Sequence, residues 1–154
     1  MQIDFDQLEW TFKAFQELTL DELYDIMVLR QRVFVVEQEC PFVDADNHDQ
    51  PSLHLFAHYE NQMAAYARII PPGMYYKEPS VGRIVTAPEF RGTGLGKLTT
   101  QKSIDWTYQE FGKQPIRIMA QHRLMHFYHD FGFKEVGERF LEDDIWHIEM
   151  VSSV

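Results

Sequence analysis

A chain of 154 residues suits one domain, taken as 1–154, with room for a continuous core. Its 45% hydrophobic and 14% aromatic content excludes a disordered polymer. A net charge of −10 works against nucleic acid and anionic membrane as partners and favours a cationic small molecule.

The single cysteine, Cys40, excludes an internal disulfide and fits a reducing compartment. The first residues lack the basic-then-apolar pattern of a signal peptide. No stretch approaches the roughly 20 apolar residues that span a bilayer, so the expected location is cytoplasmic.

In chain order, Leu8–Phe15 alternates apolar and polar residues as a half-buried strand does. Thr19-Leu20-Asp21-Glu22 is a capping box, and Leu20, Leu23, Tyr24, Met27 and Val28 follow it at helical spacing. The helix continues or restarts through Arg30–Gln38 until Pro41 stops it. Residues 41–51 read as a polar loop. Two strands follow, Ser52–Tyr59 and Met63–Ile70, joined by Glu60-Asn61-Gln62. Pro71-Pro72-Gly73 opens an irregular stretch, and Val81–Thr86 is a strand halted at Pro88.

Gly94–Glu110 predicts an amphipathic helix with Leu95, Leu98, Ile104 and Trp106 on its apolar face; Gly112 and Pro115 punctuate its end. Pro115–Ala120 reads as a strand and His122–Phe131 as a short helix closed by Gly132. Phe133–Phe140 and Ile145–Val151 complete the chain as strands. Repeats and linkers are absent, so the expectation is a single mixed α/β domain.

Charge is segregated. Arg91, Lys97 and Lys102 stand between Phe90 and Ile104 with no acid, while residues 37–49 hold Glu37, Glu39, Asp44, Asp46 and Asp49 with no Lys or Arg. The first segment contains Arg91-Gly92-Thr93-Gly94-Leu95-Gly96-Lys97 at a strand-to-helix turn. Unpaired N–H groups at a helix start, freed of side chains by glycine, suit a pyrophosphate. A dinucleotide fingerprint needs Gly-x-Gly-x-x-Gly after an N-terminal strand, which this is not. A nucleotide-triphosphate loop needs glycine where Arg91 stands and a hydroxyl where Leu98 stands.

The stretch Val85-Thr86-Ala87-Pro88-Glu89-Phe90-Arg91-Gly92-Thr93-Gly94-Leu95-Gly96 resembles the coenzyme A signature of the GCN5-related N-acetyltransferase (GNAT) superfamily, Arg/Gln-x-x-Gly-x-Gly/Ala after a strand. About 30 residues on, Gln121-His122-Arg123-Leu124-Met125-His126-Phe127-Tyr128, followed by Gly132-Phe133, resembles that family's Asn-x-x-Ala-x-x-Phe-Tyr-x-x-x-Gly-Phe element, with Gln121 for Asn and Leu124 for Ala. Arg30 to Cys40-Pro41, with Asp44, Asp46, Asp49, His54-Leu55 and Gly82-Arg83, is similar to the ElaA subgroup.

The resemblance implies a single-domain acyl-CoA acyltransferase fold. Its central sheet would be mixed and mostly antiparallel, flanked by helices, with parallel strands splayed to admit coenzyme A. It implies acetyl-CoA as cosubstrate, no metal, and direct acetyl transfer to a primary amine on a small molecule or peptide. Backbone groups of Ile84, Val85 and Thr86 would pair with pantetheine, and the Val85 amide would polarise the thioester carbonyl. Arg91, Gly92, Thr93, Gly94, Leu95, Gly96 and Lys97 would hold the diphosphate, with Gln121 and Phe127 as further coenzyme contacts. Tyr128 would be the general acid: the apolar face it shares with Leu124, Phe127 and Phe131 reads on its own as core, and the motif match reverses that reading.

For the acceptor, Glu37, Glu39, Asp44, Asp46 and His54 are candidate bases or binding groups, with a water chain as the alternative. None has a spacing that marks it. Asp44-x-Asp46-x-His48 lacks the glycine and final glutamate of a calcium loop. His122, His126 and His129 lie at helical spacing without the usual companions of a zinc site. A coenzyme-binding regulatory or interaction module is the alternative function. The apolar C-terminal strand and Met74-Tyr75-Tyr76 could face either a homodimer partner or a core, which leaves the oligomeric state open.

Overall fold

The computed structural model describes residues 1–153. Seven strands and three α-helices follow in chain order: β1 (Glu9–Ala14), α1 (Leu20–Arg30), β2 (Leu53–Tyr59), β3 (Gln62–Ile70), β4 (Ser80–Thr86), α2 (Leu95–Phe111), β5 (Arg117–Gln121), α3 (Met125–His129), β6 (Phe133–Glu142) and β7 (Ile145–Ser152). They form a four-stranded antiparallel sheet, β1-β2-β3-β4, and a three-stranded one, β5-β7-β6.

Local chemistry sets the element ends. Thr19 Oγ1 accepts from the Glu22 N–H at 3.1 Å, and the Glu22 carboxylate accepts from the Thr19 N–H at 2.8 Å. The β2–β3 turn is tighter than the three-residue connection expected: Gln62 already pairs with Tyr59, leaving Glu60 and Asn61, both at positive φ, as a two-residue turn. The β6–β7 turn is built the same way from Asp143 and Asp144.

From Arg30 the chain does not leave the helix. It continues as a π-helical segment over Gln31–Glu37, ending before Pro41. The predicted 122–131 helix is shorter than expected: a 3₁₀ turn, His122–Leu124, leads into α3. Gly132 then takes φ +86°, the left-handed conformation expected of a residue closing a helix.

Strand alternation places His54, Phe56, Tyr66 and Arg68 on one face of the larger sheet and Leu55, Ala65, Ala67 and Ile69 on the other. Ile26 and Leu29 of α1 pack with Phe56 and Tyr66. Ile104 of α2 packs with Leu55, Ala67, Ile69 and the second sheet's Ile118 and Met150. The apolar stripe expected on α2 is only half right. Its buried residues are Leu95, Thr99, Thr100, Ser103, Ile104 and Thr107, while Leu98 and Trp106 are only partly buried. The four hydroxyls donate to carbonyls one turn back at 2.6–2.9 Å. Small, self-satisfied side chains thus do the work assigned to leucine and tryptophan.

The two sheets meet at β4 and β5. At their starts Arg117 N–H donates to the Pro79 carbonyl at 3.0 Å, so the strands leave that point side by side. Among the described residues no ladder joins them further along. Between Tyr66 and Arg68 the β3–β4 register slips: Arg68 faces Gly82 and Tyr66 faces Val85, so Ala67 opposes both Arg83 and Ile84. Arg83 carries this bulge at φ +50°. A bulge bends a strand and raises its twist, which turns the end of β4 away from β5.

Candidate functional site

The opening between β4 and β5 leads into a cavity of about 580 Å³. Ile84, Val85 and Thr86 line it from β4, Arg91, Gly92, Gly94, Leu95 and Gly96 from the turn into α2, and Gln121, Phe127 and Tyr128 from the far side. Residues far apart in sequence are thus brought around one cavity. Thr93 and Lys97 are not on it: the Thr93 hydroxyl donates to the Phe90 carbonyl at 2.6 Å, and Lys97 points to solvent.

The turn has an anion cradle's geometry. Gly92 and Gly94 adopt φ +78° and +87°, and Gly94 caps α2 without a side-chain hydrogen bond. A Cβ on Gly96 would meet Thr86 Oγ1 at 3.4 Å, so bulk there would press on the cavity wall. The Leu95 N–H reaches Thr93 Oγ1 at 3.3 Å. The N–H groups of Gly92, Thr93, Gly94, Gly96 and Lys97 take no acceptor among the described residues. Those of Gly92, Gly94 and Gly96 belong to residues that line the cavity, and such free donors at the positive end of a 17-residue helix fit a diphosphate.

The ladder corrects one assignment. Ala87 N–H donates to Ala64 C=O at 2.8 Å, and Val85 pairs with Tyr66 two residues back. Backbone groups alternate sides along a strand. The Val85 amide therefore faces β3 and is not available to a thioester. Ile84 and Thr86 turn their N–H and C=O groups toward the gap.

A second cavity, about 360 Å³, adjoins the first. Phe34, Gln38, Ile84, Gln121, Leu124 and Tyr128 line both. These six mark the place where two molecules could meet. Phe34 and Gln38 sit in or just after the π-helical segment and were not foreseen as site residues. The bulky Phe34 at a helix's irregular end was the only hint. His147, also unforeseen, lines the second cavity and pairs across the ladder with Gln121.

Tyr128 has no hydrogen-bond partner among the described residues and is held by edge contacts with Phe127 and Phe133 at 5.2 and 6.0 Å. Burial pushes its hydroxyl up to about 12, so it is protonated at neutral pH.

The acidic loop is not the open cation site its composition suggested. Arg30 donates to Asp44 at 2.6 Å and to Asp49 at 2.7 Å; Arg68 donates to Asp46 and Asp49, each at 2.8 Å; Arg83 Nε donates to Asp44 at 2.7 Å. Three aspartates are matched by three arginines from α1, β3 and β4. The Asp44 side chain is 1% exposed and cannot receive an amine. Burial works to raise the Asp46 and Asp49 carboxyls, and the arginine hydrogen bonds overcome it, holding both below the ordinary range. Asp46 does touch the second cavity, with Tyr75 donating to it at 3.2 Å.

His54 is excluded as a base by the same network. Its Nε2 donates to the Asp49 carbonyl at 2.8 Å, its Nδ1 takes the Tyr66 hydroxyl at 2.7 Å, and it is 1% exposed. Burial pushes its imidazole down, so it is neutral. Glu37 lies at the other cavity, bound by both Arg91 nitrogens at 2.6 and 2.8 Å. Glu39 lines neither cavity.

Two antiparallel sheets, in place of the single mixed sheet expected, part at a bulge in β4 over a glycine-rich helix start, and this arrangement defines an acyl-CoA N-acyltransferase. Residues 31–154 match the family model described as an acetyltransferase (GNAT) domain, and the chain belongs to that family. It is 37% identical to the UPF0039 protein sll0451 of Synechocystis, over 96% of this chain and 97% of that one. It resembles protein ElaA of Escherichia coli at 33% identity, over 96% and 97%. An acyl-CoA N-acyltransferase crystal structure from Pseudomonas aeruginosa superposes with a TM-score of 0.91 at 37% identity, covering 95% of this chain and 99% of that one. The ElaA crystal structure gives 0.88 at 32% identity, covering 95% and 99%. No helix among the described residues is long and apolar enough to cross a membrane.

Proposed function

We propose that this protein transfers an acetyl group from acetyl-CoA directly to a primary amine. The observation that carries the reading is the junction of the two cavities at Ile84 and Tyr128. The donor lies along β4, with Thr86 pairing with the pantetheine arm and the free N–H groups of residues 92–97 on its diphosphate. Arg91 meets that diphosphate by exchanging Glu37 for it. The Ile84 N–H polarises the thioester carbonyl, an oxyanion-type contribution.

Tyr128 serves the departing sulfur. A phenol raised to about 12 yields its proton reluctantly to a thiolate whose conjugate acid lies near 8.5. Tyr128 therefore donates a hydrogen bond as charge builds on sulfur. It completes the transfer as a relay, passing its proton to sulfur while taking the surplus proton of the new amide nitrogen. No tyrosinate accumulates. A direct transfer needs no covalent enzyme intermediate, and Cys40 fits that: it is buried, and burial pushes its thiol up.

The test is thiol release from acetyl-CoA across a panel of polyamines, amino sugars, amino acids and peptides, with CoA-induced thermal stabilisation measured in parallel. Turnover with at least one amine is expected. Stabilisation by CoA with no turnover on any amine would replace this reading with that of a coenzyme-binding module.

A further inference from the structure

We infer that His147 is the general base that deprotonates the acceptor, an assignment that rests on the acetyl-transfer reading above. Each acid or histidine first suspected is otherwise engaged or misplaced. Asp44 and His54 are sealed in the arginine network, Asp46 is held by Arg68, Glu37 by Arg91, and Glu39 lies off both cavities. His147 lies on the second cavity and pairs with Gln121, one of the six residues common to both cavities. It is therefore one ladder rung from the junction.

Its tautomer follows from its partner. Nδ1 lies 2.8 Å from the Ile145 carbonyl oxygen, which can only accept, so Nδ1 carries the hydrogen. Nε2 of the neutral ring keeps its lone pair. Among the described residues nothing donates to Nε2, and it is not a sealed, unsatisfied atom. Phe140 lies nearly parallel to the imidazole at 6.0 Å, and with the Ile145 bond this fixes the ring's direction. An oriented imidazole with one nitrogen anchored and the other free is the arrangement a general base requires. Glu142 and Asp143 on the same cavity supply negative charge that attracts an ammonium, but a carboxylate is the weaker base.

The proton account is complete. The acceptor ammonium gives one proton to His147 Nε2, and its freed lone pair forms the C–N bond to the acyl carbon. The C–S bond breaks with its electron pair on sulfur, which takes the Tyr128 proton. Tyr128 recovers a proton from the new amide nitrogen, and His147 returns its own to solvent.

The experiment measures steady-state thiol release by wild type, His147→Ala and His147→Gln with whichever panel amine is turned over fastest, with and without added imidazole. Loss of the base should lower kcat on the order of 10²-fold with the KM for acetyl-CoA unchanged. Free imidazole should restore part of the rate lost in His147→Ala and leave the wild-type rate unchanged. Weakly basic acceptors, already neutral at the assay pH, should show a smaller loss. A kcat within twofold of wild type in both variants overturns the assignment. So does a loss that imidazole leaves untouched and that is equal for strongly and weakly basic amines, in variants that CoA still stabilises. A wild type that turns over no amine removes the acetyl-transfer reading itself, and this inference with it.

Discussion

At the scale of single residues, Tyr128 and Arg30 illustrate opposite uses of burial. Tyr128 is enclosed by aromatic rings yet its hydroxyl stays free, which suits a group that must meet a transient partner. Tyr128→Phe should slow thiol release by about 10- to 100-fold without abolishing it, because a thiolate is a tolerable leaving group. CoA-induced stabilisation should persist in that variant, as thermal melts with and without CoA would show. Arg30 is fully buried and bonded to Asp44 and Asp49. Arg30→Met leaves two carboxylates short of a partner in low dielectric and should cost about 3–5 kcal/mol, measured by urea unfolding. The sequence displays Asp44, Asp46 and Asp49 plainly, but as a run of acids in a loop. Their partners lie on α1, β3 and β4, and no local pattern links Arg68 or Arg83 to Asp46. Burial and pairing are tertiary facts, and composition alone made a cation site of an internal ion cluster.

At the scale of elements, the strands and helices were legible because their signals are local: the Thr19–Glu22 capping box, the alternation of β1, and the glycines before α2. What was not legible was the face each amide presents. Val85 looked like the carbonyl-polarising residue until the ladder through Ala87 and Ala64 put its N–H on β3's side. A one-residue bulge decides that parity, and Arg83 gives no sequence sign of φ +50°. The start of α2 carries a more local signal, its glycines. Gly94→Val should suppress the CoA-induced rise in melting temperature, since a β-branched residue resists φ +87° and its Cβ would lie 3.5 Å from Phe5. A rise equal to that of wild type would remove the turn from the donor site.

For the whole molecule, the arginine–aspartate cluster ties α1, the 41–51 loop, β3 and β4 together, and its charges cancel. Three cations and three anions drop out, so the net charge of −10 rests on the remaining 11 basic and 21 acidic residues. The exposed surface is therefore as acidic as the composition states. The same cluster sets the acid response. His54, with its pKa lowered from 6.5, and Asp46 and Asp49, lowered from 3.8, all bind protons more readily when unfolded. Their contributions are complete above about pH 6.5 for His54 and about pH 4 for the aspartates, and both fade as pH falls. Unfolding free energy should decline gently from pH 7 toward 5 and steeply below 4, as denaturant titrations across that range would measure. Constant stability down to pH 3 would contradict the network.

Arg83 holds a left-handed backbone turn in β4 with its side chain fastened to Asp44, outside the sheet. The bulge at which β4 parts from β5 is thus tied, through Arg83 and Asp44, to the 41–51 loop. On the acetyl-transfer reading, an exchange at Asp44 should misalign the Ile84 amide, a catalytic fault with a remote origin.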